Sequence, residues 1–258
     1  MPRLACQGGI LELPTKGLVP REEPLVVGRN LAIGRSPATG TAAHCHGMHE
    51  DWLRRWAEGN IGFHRHDVHP ALAKHWQPDR GTVLVPLCGK SVDLRWLAER
   101  GHTVVGVELA ERAIADFFAE QGLQCARQPG ALPAWTAAAL PITIYQGDYF
   151  ALTGLACDAV YDRAALVALP PERRAAYAAH TDTLLRPGAF RLLVTLDYEQ
   201  ALVAGPPFSV PEAEVRGYWP ELERLERQAA NHDAPPKFRA AGAVLHEAVW
   251  RSRGVGRT

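Results

Sequence analysis

Three residues fall where an alternating α/β chain would carry its chemistry. Gly89 follows the β-branched run 82–87, Glu108 closes the run 103–108, and Asp148 follows the run 142–145 by way of Gly147. A glycine after a first strand lets backbone approach a ligand, and an acid ending the second can accept two hydrogen bonds from ribose hydroxyls. An acid after the third lies near an adenine edge. Together the three outline a nucleoside-shaped site. Taken singly, each has a plainer use: Glu108 could cap the next helix, and Gly89 could simply turn the chain.

Two phosphate-binding readings fail. Cys88-Gly89-Lys90-Ser91 has the G-K-S ending of a phosphate loop, but the earlier glycine that loop needs falls at Leu84. The G-x-G-x-x-G dinucleotide fingerprint is missing after the first strand, which disfavours a nicotinamide dehydrogenase. A single glycine suits a nucleoside ligand with no pyrophosphate to cradle, such as S-adenosylmethionine.

The elements that must position these residues are legible from pattern. Strands are expected at 82–87, 103–108, 142–145, 158–161, 190–196 and 244–250. Between them, Ser91 can cap a helix with Leu94, Leu97 and Ala98 on one face, stopped by Gly101. A helix over 111–121 carries Ile114, Phe117 and Phe118, and one over 171–185 has proline in its first turn and ends before Pro187-Gly188. Strands alternating with helices imply parallel pairing through right-handed crossovers, hence an open α/β sheet with its ligand at the carboxyl ends of the strands.

Composition narrows the function classes. The 258 residues carry 28 Lys plus Arg against 28 Asp plus Glu, so a net basic face for nucleic acid is not indicated. No apolar run approaches the ~20 residues that cross a bilayer. The five cysteines are odd in number and contain no C-x-x-C, which indicates neither a disulfide framework nor a thiolate zinc site and suits a reducing cytoplasm. Seven of the 11 histidines lie between His44 and His75. His64-x-His66-x2-His69 lacks a cysteine or acid at a recognised ligand spacing, so no metal is expected there beyond adventitious binding.

The chain changes character at Met48. None of its 20 aromatic residues lies in positions 1–47, which hold five prolines and seven glycines. Such a segment buries little area against the ~1–2 kcal/mol per residue cost of ordering backbone. Residues 1–47 are therefore expected to be a disordered extension, read as the product of a start assigned upstream of the true one at Met48 in preference to a genuine extension with a role of its own, and 48–258 the folded domain. Deleting 1–47 should leave the melting temperature and activity nearly unchanged; a loss above ~1–2 kcal/mol would show that the extension packs on the domain.

Six blocks occur in order: Trp52-x3-Trp56, Ile61-Gly62-Phe63-His64, Pro86-Leu87-Cys88-Gly89-Lys90-Ser91-x-Asp93, Gly101-His102-x-Val104-Val105-Gly106-Val107-Glu108, Asp162-Arg163-Ala164-Ala165-Leu166-Val167-Ala168-Leu169 and Gly205-Pro206-Pro207-Phe208-x-Val210. From Met48 to Arg251 the chain resembles the thiopurine S-methyltransferase family in its shorter bacterial form. The resemblance implies a three-layer, Rossmann-like class I methyltransferase fold whose seven-stranded sheet is mostly parallel with one antiparallel strand. It implies S-adenosylmethionine as cofactor, bound at the positions of Trp56, Leu87, Glu108, Asp148, Tyr149 and Arg163. Phe63 matches an aromatic wall shared by the methyl group and the acceptor, and Arg163 could also pair with an anionic acceptor. Arg163 has a plainer reading as an internal ion pair with a nearby acid such as Asp162. No dedicated catalytic base is implied, because a low-pKa heteroaromatic thiol is already ionised near neutral pH.

The implied acceptors are thiopurines or related aromatic and heterocyclic thiols, with selenium or tellurium compounds as further candidates, and a monomer is expected. A halide or thiol methyltransferase of the same superfamily, or a non-catalytic S-adenosylmethionine sensor, are the alternatives. Two departures from the family pattern, His64-Arg65-His66 after Phe63 and His69 in place of asparagine, lie near the expected acceptor mouth.

Overall fold

The computed structural model describes residues 41–230 and 235–252. The expected extension lies almost wholly outside them. Among the described residues the first element is helix α1 (Thr41–Glu58), which begins seven residues before Met48, so a cut at that methionine removes its first two turns.

One nine-stranded sheet organises the rest. Its strands are β1 (Gly81–Val85), β2 (His102–Glu108), β3 (Cys125–Gln128), β4 (Ala134–Ala137), β5 (Ile142–Gln146), β6 (Cys157–Asp162), β7 (Leu185–Asp197), β8 (Leu222–Ala229) and β9 (His246–Ser252). They lie side by side in the order β3-β4-β5-β2-β1-β6-β7-β9-β8. From β5 to β7 all pairing is parallel, and β9 runs antiparallel to both β7 and β8. The seven strands from β5 to β8 thus contain one reversed strand, as expected. The hairpin β3–β4, turned at Pro129-Gly130, adds two more at the β5 edge.

Successive side chains of the central strands bury on opposite faces, which is why these strands read as continuous apolar runs. On one face Val83, Val85, Val104 and Ile144 pack with Leu72 of α2 (Pro70–His75), Leu94 and Leu97 of α3 (Asp93–Glu99), and Ile114 and Phe117 of α4 (Glu111–Glu120). On the other, Leu84, Val105, Val107, Val160 and Leu193 meet Tyr177 of α5 (Pro171–Thr183) and Val215 of α6 (Glu212–Tyr218). This is the three-layer arrangement that parallel crossovers produce.

Several boundaries differ from the sequence reading, among them the first strand, which ends at Val85 instead of 87. Ser91 does accept the Asp93 N–H (3.2 Å), although α3 itself begins at Asp93. Helix α5 ends at Thr183, and Pro187-Gly188 lies within β7, where the pairing jumps from Cys157↔Leu185 to Ala159↔Phe190, so that residues 186–189 of β7 stand opposite Asp158 alone. The last strand starts at His246 instead of 244.

Asp162, closing β6, is a buried polar junction. Its carboxylate accepts the Ala165 and Leu166 N–H groups (3.0 and 3.3 Å) and the Tyr177 hydroxyl (2.8 Å). Burial pushes its carboxyl up to about 6 against these bonds. A folded-state value above the unfolded one means the fold binds more protons, so this contribution to stability is present below pH ~4 and is lost as pH rises through about 6. Two units correspond to on the order of 3 kcal/mol. The stability of Asp162→Asn relative to wild type should therefore improve by that order between pH 4 and 7; a pH-independent difference in urea titrations would exclude this titration.

Candidate active site

The carboxyl ends of β1, β2, β5 and β6 open onto one cavity of about 760 Å³, roofed by α1 and the segment that follows it. All seven residues singled out from the sequence line it: Trp56, Phe63, Leu87, Glu108, Asp148, Tyr149 and Arg163.

The floor is built by backbone that continues the parallel ladder beyond the strands. Cys88 N–H donates to the Val107 carbonyl and Gly147 N–H to the Glu108 carbonyl, both at 2.9 Å. These bonds hold the loops after β1 and β5 on either side of Glu108. Leu87, with φ 47°, is the one non-glycine residue with positive φ among the described residues, a conformation that costs about 1–2 kcal/mol. Strain of that kind persists where its surroundings over-determine it. Gly89 follows with φ 53°, and a Cβ there would stand 3.1 Å from the Trp56 ring. Glycine is thus required both for the turn and for the close approach of the tryptophan.

Glu108 is 7% exposed. One carboxylate oxygen accepts the Gly89 N–H (2.9 Å) and the other the Ala110 N–H (2.8 Å). Both plain readings therefore hold in part, since the carboxylate pins the glycine loop and satisfies a donor at the start of α4. Burial raises its pKa above the usual carboxylate value, and the two N–H bonds oppose that rise. Each oxygen keeps further acceptor capacity toward the cavity.

The opposite wall is aromatic. Phe63 stands edge-on between Trp52 and Trp56, with centroids 5.6 and 5.7 Å apart and interplanar angles near 80°. Such pairs contribute about 0.5–1.5 kcal/mol each beyond the area they bury. Trp56 also packs on Ala110 and Ala113, which couples α1 to α4.

Arg163 does not form the internal ion pair with Asp162, whose carboxylate is occupied by Tyr177 and two backbone N–H groups. Its guanidinium instead donates across the cavity to the Phe63 carbonyl (3.3 Å), and it has no carboxylate partner among the described residues. Asp148 accepts the Phe150 N–H (3.0 Å) and lies 3.9 Å from His49 of α1. The Tyr149 hydroxyl points away from the cavity onto Thr181 (2.9 Å), and burial pushes its pKa up, so only its ring and backbone can meet a ligand. Lys90 turns aside to Glu120 (2.6 Å), consistent with the failed phosphate loop.

His64 and His66 meet edge to face (4.9 Å), whereas His69 faces Glu247. No group of His, Cys, Asp and Glu among the described residues is arranged to hold a metal. Sequence reasoning did not single out Leu196, Glu226, Gln228 or Glu247, which line the far end of the cavity from β7, β8 and β9. They carry no local motif, and strand pairing alone brings them there. No helix among the described residues is long and apolar enough to cross a membrane.

Comparison with known proteins agrees with this geometry. The family model for thiopurine S-methyltransferase matches residues 48–254. The thiopurine S-methyltransferase of Pseudomonas fluorescens (strain Pf0-1) is 46% identical over 218 residues, covering 80% of this chain and 99% of that protein. That of Aliivibrio fischeri (strain MJ11) is 46% identical over 212 residues, covering 78% and 97%. Among solved structures, the Burkholderia thailandensis 1,6-didemethyltoxoflavin-N1-methyltransferase superposes with a TM-score of 0.56 at 17% identity, over 86% of this chain and 94% of that one, a likeness of fold. The chain belongs to the thiopurine S-methyltransferase family, whose members are S-adenosylmethionine-dependent methyltransferases.

Proposed function

We propose that residues 48–258 form an S-methyltransferase that uses S-adenosylmethionine to methylate thiopurines or similar small heteroaromatic thiols, working as a cytoplasmic monomer. One observation supports it above the others: Glu108 on one wall and the Phe63–Arg163 pair on the other face the same cavity. The residues fit the cofactor on this chain's own geometry. Glu108 offers anionic oxygens at a strand end, Gly89 keeps the backbone bare beneath Trp56, and the tryptophan faces suit a sulfonium by cation–π attraction. When bound, S-adenosylmethionine supplies an electrophilic methyl group to the acceptor sulfur.

The protein's part is alignment and enclosure. Glu108 holds the ribose hydroxyls, while Asp148 and Tyr149 flank the adenine. Phe63 presses the acceptor toward the donor, and Arg163 orients its anionic sulfur. The aromatic wall excludes water, which favours the reaction of an anionic acceptor with a cationic donor because charge is neutralised. No side chain needs to remove a proton from a thiol that is already ionised. Selenium and tellurium anions would meet the same wall and the same arginine.

The test is S-adenosylmethionine turnover with thiopurine, aliphatic thiol, iodide and selenite acceptors. Methylated thiopurine as the preferred product supports the reading. Preference for iodide would favour a halide methyltransferase, and cofactor binding without product would favour a sensor.

A further inference from the structure

Because β9 is antiparallel, its first residues stand at the ligand edge of the sheet, with Glu247 beside Leu196 at the end of β7. The Glu247 side chain lines the far end of the cavity, with Leu196, Pro206 and Pro207. One of its oxygens, Oε2, is fixed by the His69 Nε2 at 3.3 Å.

His69 itself cannot swing away. Its Nδ1 accepts the Ala71 N–H (3.2 Å) as the N-cap of α2, so the neutral ring carries its proton on Nε2 and donates it to Glu247. The His69 backbone N–H donates to Asp93 (2.9 Å), whose other oxygen accepts the buried Tyr161 hydroxyl (3.0 Å). Among the described residues no N–H or O–H group donates to the second Glu247 oxygen, Oε1. Burial pushes the Glu247 carboxyl up, but the His69 hydrogen bond and the charges of Arg163 and Arg65 together hold it below the usual carboxylate value. A fixed anion whose second oxygen takes no hydrogen bond from the described residues therefore lies at the end of the cavity away from Glu108.

Building on the S-methyltransferase reading, we propose that Glu247 is a specificity-determining residue that accepts a hydrogen bond from a ring N–H of the thiol. It selects nitrogen heterocycles that keep an N–H once the sulfur is ionised, over aryl thiols that have none and over thiols bearing a second anionic group. The physical basis is asymmetric. An acceptor without the N–H leaves a desolvated carboxylate oxygen unpaired, which costs far more than the hydrogen bond itself gains.

Two near-isosteric probes separate the cases. The thiolate of 2-mercaptobenzimidazole retains a ring N–H, whereas that of 2-mercaptobenzothiazole has a sulfur in its place. In Glu247→Gln the amide oxygen can keep the His69 bond, which turns the NH2 donor toward the cavity. The ratio of kcat/KM for the benzimidazole to that for the benzothiazole is expected to fall at least tenfold in this variant. Comparing each thiol with itself across the two proteins cancels its intrinsic reactivity.

A ratio that changes by less than tenfold overturns the assignment, including the case where both thiols lose activity together. A second arm uses wild type alone, so that a poorly folding variant does not decide the matter: KM for 1-methyl-2-mercaptobenzimidazole should exceed that for the parent at least tenfold, and equal values overturn the assignment. If wild type binds S-adenosylhomocysteine but methylates neither thiol, the S-methyltransferase reading fails first. If it methylates both and the ratio is unmoved, only the role of Glu247 fails.

Discussion

Glu108→Gln should weaken S-adenosylhomocysteine binding at least tenfold by calorimetry and also lower the melting temperature by several degrees. The substitution keeps the shape but replaces one acceptor oxygen with an NH2 group. Each carboxylate oxygen already takes a backbone N–H, from Gly89 on one side and Ala110 on the other. Either orientation of the amide sets a donor against a donor in a buried site, at a cost of about 1–3 kcal/mol. The stability loss follows from that clash, at roughly 2–4 °C per kcal/mol for a domain of this size. The affinity loss follows from the weaker hydrogen bonds left for the ribose.

A pH series separates the two effects. Burial raises the Glu108 pKa, and protonation removes an acceptor, so wild-type affinity should decline as pH falls through that raised value. The glutamine variant should lack this decline. Unchanged affinity in the variant would take Glu108 out of the site and leave it a backbone clamp.

The second large effect is expected from Arg163→Lys, which should lower kcat/KM for the thiol about tenfold to a hundredfold while S-adenosylhomocysteine affinity changes less. A charge-assisted hydrogen bond contributes roughly 1.5–3 kcal/mol, and lysine keeps the charge but loses the planar fork. The guanidinium reaches the Phe63 carbonyl from the end of β6, and so ties the aromatic wall to the sheet. Lysine would loosen that wall as well as misalign the anion, and both losses fall on the acceptor step. Wild-type kinetics in the variant would leave Arg163 no role in turnover. The plainer ion pair with Asp162 is no longer a competing explanation, because Asp162 is engaged by Tyr177 and the Ala165 and Leu166 N–H groups.

The half of the site nearest Glu108 was legible in the sequence because its residues sit at the ends of strands that announce themselves locally. The runs ending near Val85, Glu108 and Gln146 are apolar on both faces and bounded by turn residues, so their carboxyl ends were visible without the fold. Parallel order then brings those ends to one edge, and Gly89, Glu108 and Asp148 follow.

How these segments meet one another was decided by tertiary structure alone. Trp52 and Trp56 are spaced for one helix face, but only the path of α1 across the sheet edge sets them on either side of Phe63. Tyr149 has the type of a ligand wall, yet its hydroxyl lies on Thr181, which a local reading cannot reveal. Glu247 is the clearest case. In the sequence it lies inside an ordinary late strand, and the reversal of β9 carries it to the ligand edge against His69, 178 positions away. Local pattern determines where a strand ends. Whether its first or its last residues meet the ligand depends on the direction in which it pairs, which is set by long-range packing.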